Sequence, residues 1–180
     1  MNYKQFSNLS CYEEFEIQCT LVGISKIDIL KKHAHKIDNY YFFIFGDDIF
    51  NWYDLEGNYV KDPGLLKEIT EEHIPLSISK CIIPDSVISI GYGAFCYCTY
   101  LKKVDIPDNV IRIDSDAFWH CESLETITIP DSVTTIGVGV FYSCTALKEV
   151  IFKGKTLDEV KRMKYYPFGI DDKSIIKCEL

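Results

Sequence analysis

Three cysteines, Cys98, Cys121 and Cys144, recur at intervals of 23 residues. The chemistry that such a set suggests is thiolate coordination of a metal ion. Zinc, however, needs four ligands that converge on one point, usually supplied as closely spaced cysteine pairs. This series supplies one thiol per interval, and the close pair Cys96-x-Cys98 has no second pair beside it. The pattern therefore favours buried thiols that bond weakly to turn backbone, and we predict neither a metal nor another cofactor.

The other residues that could take part in catalysis or ligand binding do not have the spacing that such a site requires. The histidines of His33-Ala34-His35 would point about 200° apart on a helix, so they cannot share a metal. The stretches Gly91-Tyr92-Gly93 and Gly137-Val138-Gly139 lack the Gly-Lys-Ser/Thr of a phosphate loop. The pairs Asp47-Asp48 and Asp171-Asp172 lack the alternating ligands of a calcium loop and are typical of solvated turns. No catalytic residue is predicted, and we expect a protein that is not an enzyme.

Composition limits the remaining classes of function. The chain has 180 residues, of which 47% are hydrophobic and 26% charged, enough for a packed core. Its 19 Lys and Arg against 27 Asp and Glu give a net charge of −8, the wrong sign for a nucleic-acid binder. It lacks both an apolar stretch long enough to span a membrane and the apolar core of a secretory signal at its first residues. We therefore expect a cytoplasmic protein with no nucleic-acid or membrane partner.

The cysteines belong to a tandem repeat that must position every other residue. Residues 83–105, 106–128 and 129–151 align without a gap at a period of 23. One coil of this length cannot close a hydrophobic core, so each coil must bury its apolar positions against the same positions of its neighbours. This predicts a solenoid in which Phe95, Phe118 and Phe141 stack in a column. The shared columns are Ile-Pro-Asp from 83, 106 and 129, Val at 87, 110 and 133, Ile at 90, 113 and 136, and Leu at 101, 124 and 147.

Each coil contains an alternating run that predicts one strand of a parallel sheet. In the run from Leu101 to Ile106, Val104 and Ile106 are expected to point inward while Lys103 and Asp105 point outward. Pro107 then ends the strand, because proline cannot donate to a ladder. Stacked coils place equivalent outward side chains about 4.8 Å apart, in rows. We predict that these rows bind a protein partner through Lys80, Ile82, Lys103, Asp105, Thr126, Thr128, Glu149 and Ile151.

The string IPDSVxxIGxxAFxxCxxLxxVxIP, which begins at Ile83, resembles the BspA-like class of leucine-rich repeats. The resemblance covers about residues 76–153. It implies a leucine-rich repeat solenoid with a concave sheet and a second short strand per coil, such as Val110 to Ile113. It also implies a protein or ligand interaction module without shared catalytic residues. Val140 in place of alanine, and Asp114 and Asp116 in place of glycine, depart from the pattern in the loops.

The first 75 residues share no repeat register and predict a small α+β domain that caps the solenoid. A helix of about three turns is expected from Ser25 to Ile37, with its apolar positions on one side. Three aromatic runs then predict an antiparallel meander. A short helix is expected around Leu65 to Ile69, after Asp62-Pro63. The aromatic runs are Tyr40 to Phe45, Ile49 to Tyr53 and Asn58 to Val60.

The repeat array itself is expected to span residues 76–153, with its first strand at Ile78 to Ile83. Residues 154–180 predict a second cap, composed of a short helix and an edge strand. Thr156 is the expected N-cap of that helix, since Glu159 follows three residues later. The edge strand is expected from Ser174 to Cys178.

These features favour a non-enzymatic protein-protein interaction module that presents a concave repeat face. One alternative is that the N-terminal domain binds a small ligand or is an enzyme, with the repeats as scaffold. Another, suggested by the family resemblance, is a phage- or microbe-encoded inhibitor of a host protein. Aromatic residues of the first domain could form a binding patch if exposed together, although core packing explains most of them more simply. These residues are Tyr40, Trp52, Tyr53 and Tyr59. The partner's identity and the oligomeric state are left open.

Overall fold

The computed structural model of the chain describes residues 25–45 and 49–180. The chain has two compact units, which divide between Leu65 and Leu66. Cys11, Cys19 and the predicted solvated pair Asp47-Asp48 lie outside the described residues.

The first unit contains one helix followed by an antiparallel meander. Its pairs join β1 to β2, β2 to β3 and β3 to β4. The side chains of Phe42 and Trp52 lie 4.8 Å apart between ring centroids, and both are buried. The α+β content and the three aromatic strands are therefore as predicted. The described elements are α1 Lys26–His33, β1 His35–Ile37, β2 Tyr40–Phe45, β3 Ile49–Asp54 and β4 Tyr59–Val60.

The helix prediction was wrong over its last turn. Helix α1 ends at His33, and β1 follows in an extended conformation. Ile37 pairs with Tyr40 across a turn in which Asp38 has a φ of +51°. The ladder to β2 satisfies the backbone of β1 and thereby outweighs the local helical periodicity. The helical angle predicted between His33 and His35 consequently does not apply.

The second unit is built from coils that contribute strands to two sets of parallel ladders. Strands β5, β7, β9 and β11 form one sheet in that order. We call the strands of the second set the concave strands, after the face predicted from the sequence. Among them, β6 pairs with β8, β10 pairs with β12, and β12 pairs with β13. In the ladders, Cys81 lies opposite Val104, and Ile127 lies opposite Val150, as the period of 23 predicts. The strands are β5 Glu68–Ile69, β6 Lys80–Ile82, β7 Ser89–Ile90, β8 Lys103–Asp105, β9 Arg112–Ile113, β10 Thr126–Ile129, β11 Thr135–Ile136, β12 Glu149–Lys153 and β13 Ile176–Glu179.

The short helix expected around Leu65 to Ile69 is absent, and β5 occupies its place. Ile69 is fully buried and pairs in parallel with Ile90. The N–H of Gly91 donates to the Ile69 carbonyl at 2.7 Å. Pairing with the next coil thus decides the conformation, which the local sequence alone does not show. The parallel sheet consequently begins upstream of residue 76.

The predicted phenylalanine column is present in the core of the second unit. The rings of Phe95 and Phe118 lie 5.0 Å apart with planes inclined by 10°, and those of Phe118 and Phe141 lie 5.9 Å apart at 8°. All three side chains are buried. The N–H of Phe141 donates to the carbonyl of Phe168, which continues the backbone stacking into the last coil.

The predicted column of cysteines forms a ladder of thiols, in which Cys98 and Cys121 are buried and Cys144 is half-buried. The Sγ of Cys121 donates to the Phe95 carbonyl at 3.2 Å, and that of Cys144 donates to the Phe118 carbonyl at 3.1 Å. Burial raises the pKa of Cys98 and of Cys144 to about 12, and it raises the pKa of Cys121 as well. A thiol with so high a pKa stays protonated at neutral pH, so it acts as a packing group and weak donor.

The aspartates of the middle repeat keep the backbone path of the glycines that they replace. Asp116 has a φ of +58°, close to the +61° and +65° of Gly93 and Gly139. Aspartate tolerates this left-handed conformation better than most residues with a side chain. Asp114 Oδ1 forms an ion pair with Arg112 Nε at 3.0 Å. The departures from the repeat pattern therefore leave the coil geometry unchanged.

The helix predicted after the third repeat is α2 Leu157–Arg162, and Thr156 is its N-cap. The Glu159 N–H donates to Thr156 Oγ1 at 3.3 Å, while the Thr156 N–H donates to Glu159 Oε2 at 2.8 Å. The second of these bonds lowers the pKa of the Glu159 carboxyl. Val160 anchors the helix, because it is fully buried.

Replacing Thr156 by alanine is expected to lower the free energy of unfolding by about 1 kcal/mol, because the helix loses its side-chain acceptor for a terminal N–H. Urea titration followed by circular dichroism measures the change. Thr145→Ala is the matched control, since Thr145 is exposed and caps no helix. Equal stabilities of the two variants would contradict the capping role.

Candidate protein-binding face

The structure places the eight predicted binding residues at outward positions of the concave strands. Lys80 and Ile82 lie opposite Lys103 and Asp105, and Thr126 and Thr128 lie opposite Glu149 and Ile151. All eight are at least partly exposed. The residues between them on the four strands are buried, so the predicted alternation is present. These are Cys81, Val104, Ile127 and Val150.

The concave strands are interrupted between β8 and β10, which the sequence did not predict. These strands are one repeat apart, yet they belong to different sheets. A groove of about 510 Å³ lies there. Four predicted residues line it, together with Lys102, Glu125, Lys153, Val104 of β8 and Ile106, which is only half-buried although its position was predicted to point inward. The four are Lys103, Asp105, Thr126 and Thr128.

The backbone of both strands directs polar groups into this groove. In β12, Glu149 donates to the Glu125 carbonyl, so the alternation of a parallel ladder turns the N–H and C=O of Thr126 and Thr128 away from β12. Asp105 accepts from Ile83, so in β8 the same groups of Val104 face away from β6. The groove therefore offers both donors and acceptors along its length.

The charges on this face are arranged in mixed pairs. Lys103 Nζ lies 2.9 Å from Asp105 Oδ1, and Lys148 Nζ lies 2.6 Å from Glu125 Oε2. The hydrogen bond from Lys148 lowers the pKa of the Glu125 carboxyl. Because all four side chains are well exposed, the pairs contribute little to folding and are accessible to a partner.

Strand β13 extends the outward rows by residues that the repeat alignment missed. Lys177 lies opposite Ile151, and Glu179 lies opposite Lys153. Sequence reasoning placed an edge strand here but gave it no binding residues. The residues opposed in β12 and β13 are 26 positions apart in the chain, and this departure from 23 concealed the row.

A second exposed feature of this unit, an aromatic corner, was also missed. Its members are Tyr97, Trp119, His120 and Tyr142. The Tyr97 and His120 rings stack at 4.8 Å with planes inclined by 8°, and Trp119 lies 5.3 Å from Tyr97. Tyr97 is 49% exposed and Tyr142 55% exposed. The signal in the sequence is that aromatic residues recur at repeat positions outside the conserved core columns.

The four aromatic residues that were considered as a binding patch in the first unit are not exposed together. Trp52 and Tyr53 are buried, Tyr40 is half-buried and Tyr59 is exposed. The Tyr53 and Tyr59 rings meet edge to face at 6.0 Å. Core packing therefore accounts for the two strand-β3 residues, as sequence reasoning favoured.

The part of the chain that the structure describes contains neither a group of metal-binding side chains nor a helix that could cross a membrane. No group of three or more His, Cys, Asp or Glu side chains there has the arrangement of a metal site. Among the same residues, no helix has the length and apolar character needed to cross a membrane.

Comparison with known proteins identifies the repeat. The family model for the BspA type leucine rich repeat region matches residues 74–172 in six copies. The match extends beyond the three copies that were aligned above and includes α2. No curated protein is significantly similar to this chain.

Solved bacterial leucine-rich repeat proteins resemble the chain. One from Bacteroides capillosus is 27% identical with a TM-score of 0.47, and the match covers 68% of this chain and 99% of that one. The T. pallidum leucine-rich repeat protein is 28% identical with a TM-score of 0.48, covering 66% of this chain and 60% of that one. A protein from Eubacterium ventriosum is 27% identical with a TM-score of 0.48, and the match covers 65% of this chain and 28% of that one.

Proposed function

We propose, because this chain belongs to the BspA-type leucine-rich repeat family, that it is a non-enzymatic protein-interaction module. The binding surface in this proposal is the concave face, with the groove between β8 and β10 at its centre. The observation that carries the proposal is that four of the predicted binding residues line this groove.

The groove suits a polypeptide better than a small apolar ligand. Small-molecule sites are mostly apolar, whereas this groove is lined by five charged side chains, two threonines and unpaired strand backbone. A polypeptide segment supplies hydrogen-bond donors and acceptors at regular intervals, as well as charges of either sign. The mixed signs of Lys103, Asp105 and Glu125 favour a partner with paired charges rather than a polyanion.

The aromatic corner provides a second set of contacts in the same unit. Tyrosine and tryptophan are enriched among residues that dominate binding energy, because they bury a large area at a small entropic cost. Tyr97 and Trp119 already contact each other, so less side-chain freedom is lost on binding. We assign this corner a supporting role, since it has four members against the eight residues of the rows on the concave strands.

The experiment reverses two charges on the concave face without changing the net charge. A partner is first identified by affinity capture with the full chain, and its dissociation constant is measured by calorimetry. The combined variant Lys103→Glu and Glu149→Lys is expected to weaken binding at least about tenfold, because both reversals place like charges against the partner.

The matched control is the combination Lys164→Glu and Glu72→Lys, which makes the same changes at exposed residues outside the concave strands. Melting temperatures of both variants establish that they fold. Unchanged affinity of the concave-face variant would exclude this face as the binding site. A loss of affinity in the control alone would place the partner elsewhere on the second unit.

The remaining alternatives stay proposals of lower rank. A phage- or microbe-encoded inhibitor of a host protein is a special case of the same binding function, and the captured partner decides it. A ligand-binding or enzymatic first unit would be supported by a small molecule that raises the melting temperature of the full chain. A cytoplasmic location also remains a proposal of lower rank.

A further inference from the structure

Strand β13 is an edge strand with unpaired backbone groups. Among the described residues that form its sheet, its ladder partner is β12 alone. The Gly154 N–H donates to the Glu179 carbonyl at 2.7 Å, so Glu179 and Lys177 direct their backbone groups toward β12. The alternate residues Ile176, Cys178 and Leu180 therefore direct theirs toward the open side. The N–H of Ile176 already donates to Lys173, which leaves its carbonyl free on that side.

The residues of this strand are complementary to their own reversed order. From Ile176 the sequence reads Ile-Lys-Cys-Glu-Leu, which places an apolar residue at each end and opposite charges on either side of the central cysteine. Leu180 is 94% exposed. Lys177 and Glu179 are both exposed and share the outward side of the sheet.

We propose that two copies of this chain associate weakly through antiparallel pairing of their β13 strands, about a two-fold axis at Cys178. In this register Cys178 exchanges both backbone hydrogen bonds with the same residue of the second copy. The N–H of Leu180 donates to the Ile176 carbonyl of the second copy, and the reverse bond follows by symmetry. Lys177 lies opposite Glu179 twice, and Ile176 lies opposite Leu180 twice.

Charge and backbone direction together select this register. A two-fold axis at Lys177 would place two lysines opposite each other, and one at Glu179 would place two glutamates opposite each other. The backbone groups of both residues also point toward β12, away from a second copy. Charged edge residues normally discourage pairing with unrelated strands, so this arrangement tolerates self-pairing while it opposes other partners. The proposal goes beyond the binding function of the concave face and does not depend on it.

Charge reversal tests the proposal in the full chain. Sedimentation velocity up to about 1 mM protein should detect a reversible dimer of the wild type, which is the concentration range of a small interface. Lys177→Glu and Glu179→Lys, each by itself, should weaken the association about tenfold, because the symmetry creates two like-charge pairs. An equimolar mixture of the two variants should dimerise like the wild type, since each unlike copy then restores both pairs.

The control is Lys67→Glu, which makes the same charge change at an exposed residue of the second unit that lies outside the sheet of β13. It should leave the association constant within about twofold of the wild type. A wild type that stays monomeric throughout, or a mixture that associates no better than either variant alone, would overturn the proposal.

Cross-linking gives an independent readout. Opposed residues of a hydrogen-bonded antiparallel pair have Cα atoms about 5.5 Å apart, within reach of a short bis-maleimide cross-linker. Such a reagent should therefore link two copies through Cys178, and Cys178→Ser should lose that link while keeping the reversible dimer. Peptide mapping that finds the link at other cysteines and not at Cys178 would contradict the register.

Discussion

Replacing Phe118 by alanine is expected to lower the free energy of unfolding by about 3–5 kcal/mol. Phe118 is fully buried and lies between Phe95 and Phe141 in the stacked column. Its removal therefore leaves both of these rings without a stacking partner on one side. The coils above and below are fixed by parallel ladders, and they cannot close the resulting cavity without breaking backbone hydrogen bonds. Chemical denaturation followed by circular dichroism measures the change.

Tyr92→Ala is the matched control for this prediction. It removes an aromatic side chain of similar size from the neighbouring repeat, but Tyr92 is 68% exposed and should change stability by less than about 0.5 kcal/mol. A Phe118→Ala variant that unfolds within about 1 kcal/mol of the wild type would mean that the column is not a continuous stack.

The columns of the repeat were predictable because one physical constraint acts on them three times. A coil that stacks on a copy of itself must bury the same positions, so the spacing of Phe95, Phe118 and Phe141 specifies both the core and the register of the sheet. The outward positions follow from the same alternation. That is why all eight predicted face residues lie where they were expected.

The segments that were mispredicted depend on pairing at a distance. Residues 35–37 have helical spacing, and residues 65–69 follow a good helix start, yet both regions contain strands. Ile69 pairs with Ile90, and no pattern local to Ile69 carries that information. Propensity is a weak prior when a neighbouring coil offers a ladder.

The groove was also beyond the reach of the repeat pattern. Identical spacing predicts a continuous concave sheet, whereas β8 and β10 lie in separate sheets. A repeat alignment contains only what the coils share, so it carries no information about a ladder that is missing between two of them. The proposed binding groove is thus a local departure from the regularity that identified the fold.

Raising the pH from 8 to 10 is expected to reduce the free energy of unfolding by about 4 kcal/mol through the thiols of Cys98, Cys121 and Cys144. Burial raises the folded-state pKa of Cys98 and Cys144 to about 12, and that of Cys121 also rises, from an ordinary value of 9.0. Below pH 9 both states keep these protons, and the full stability is present. Between pH 9 and 12 the unfolded chain releases protons that the folded chain retains, so stability falls as the pH rises.

The variant Cys121→Ala separates this effect from the titration of tyrosines and lysines. With one of three thiols removed, the loss of stability between pH 8 and pH 10 should shrink by about one third, whatever the variant's stability at pH 8. Absorbance at 240 nm reports both thiolate and tyrosinate, so the difference between folded wild type and Cys121→Ala, in which the tyrosinate signal cancels, should show that the Cys121 thiol stays protonated at pH 10. A pH dependence identical in wild type and variant would mean that the Cys121 thiol ionises as readily when folded as when unfolded. The Sγ of this thiol donates to the Phe95 carbonyl, and ionisation in the folded state would require that bond to break, so an identical dependence would also exclude the thiol ladder as a fixed part of the core.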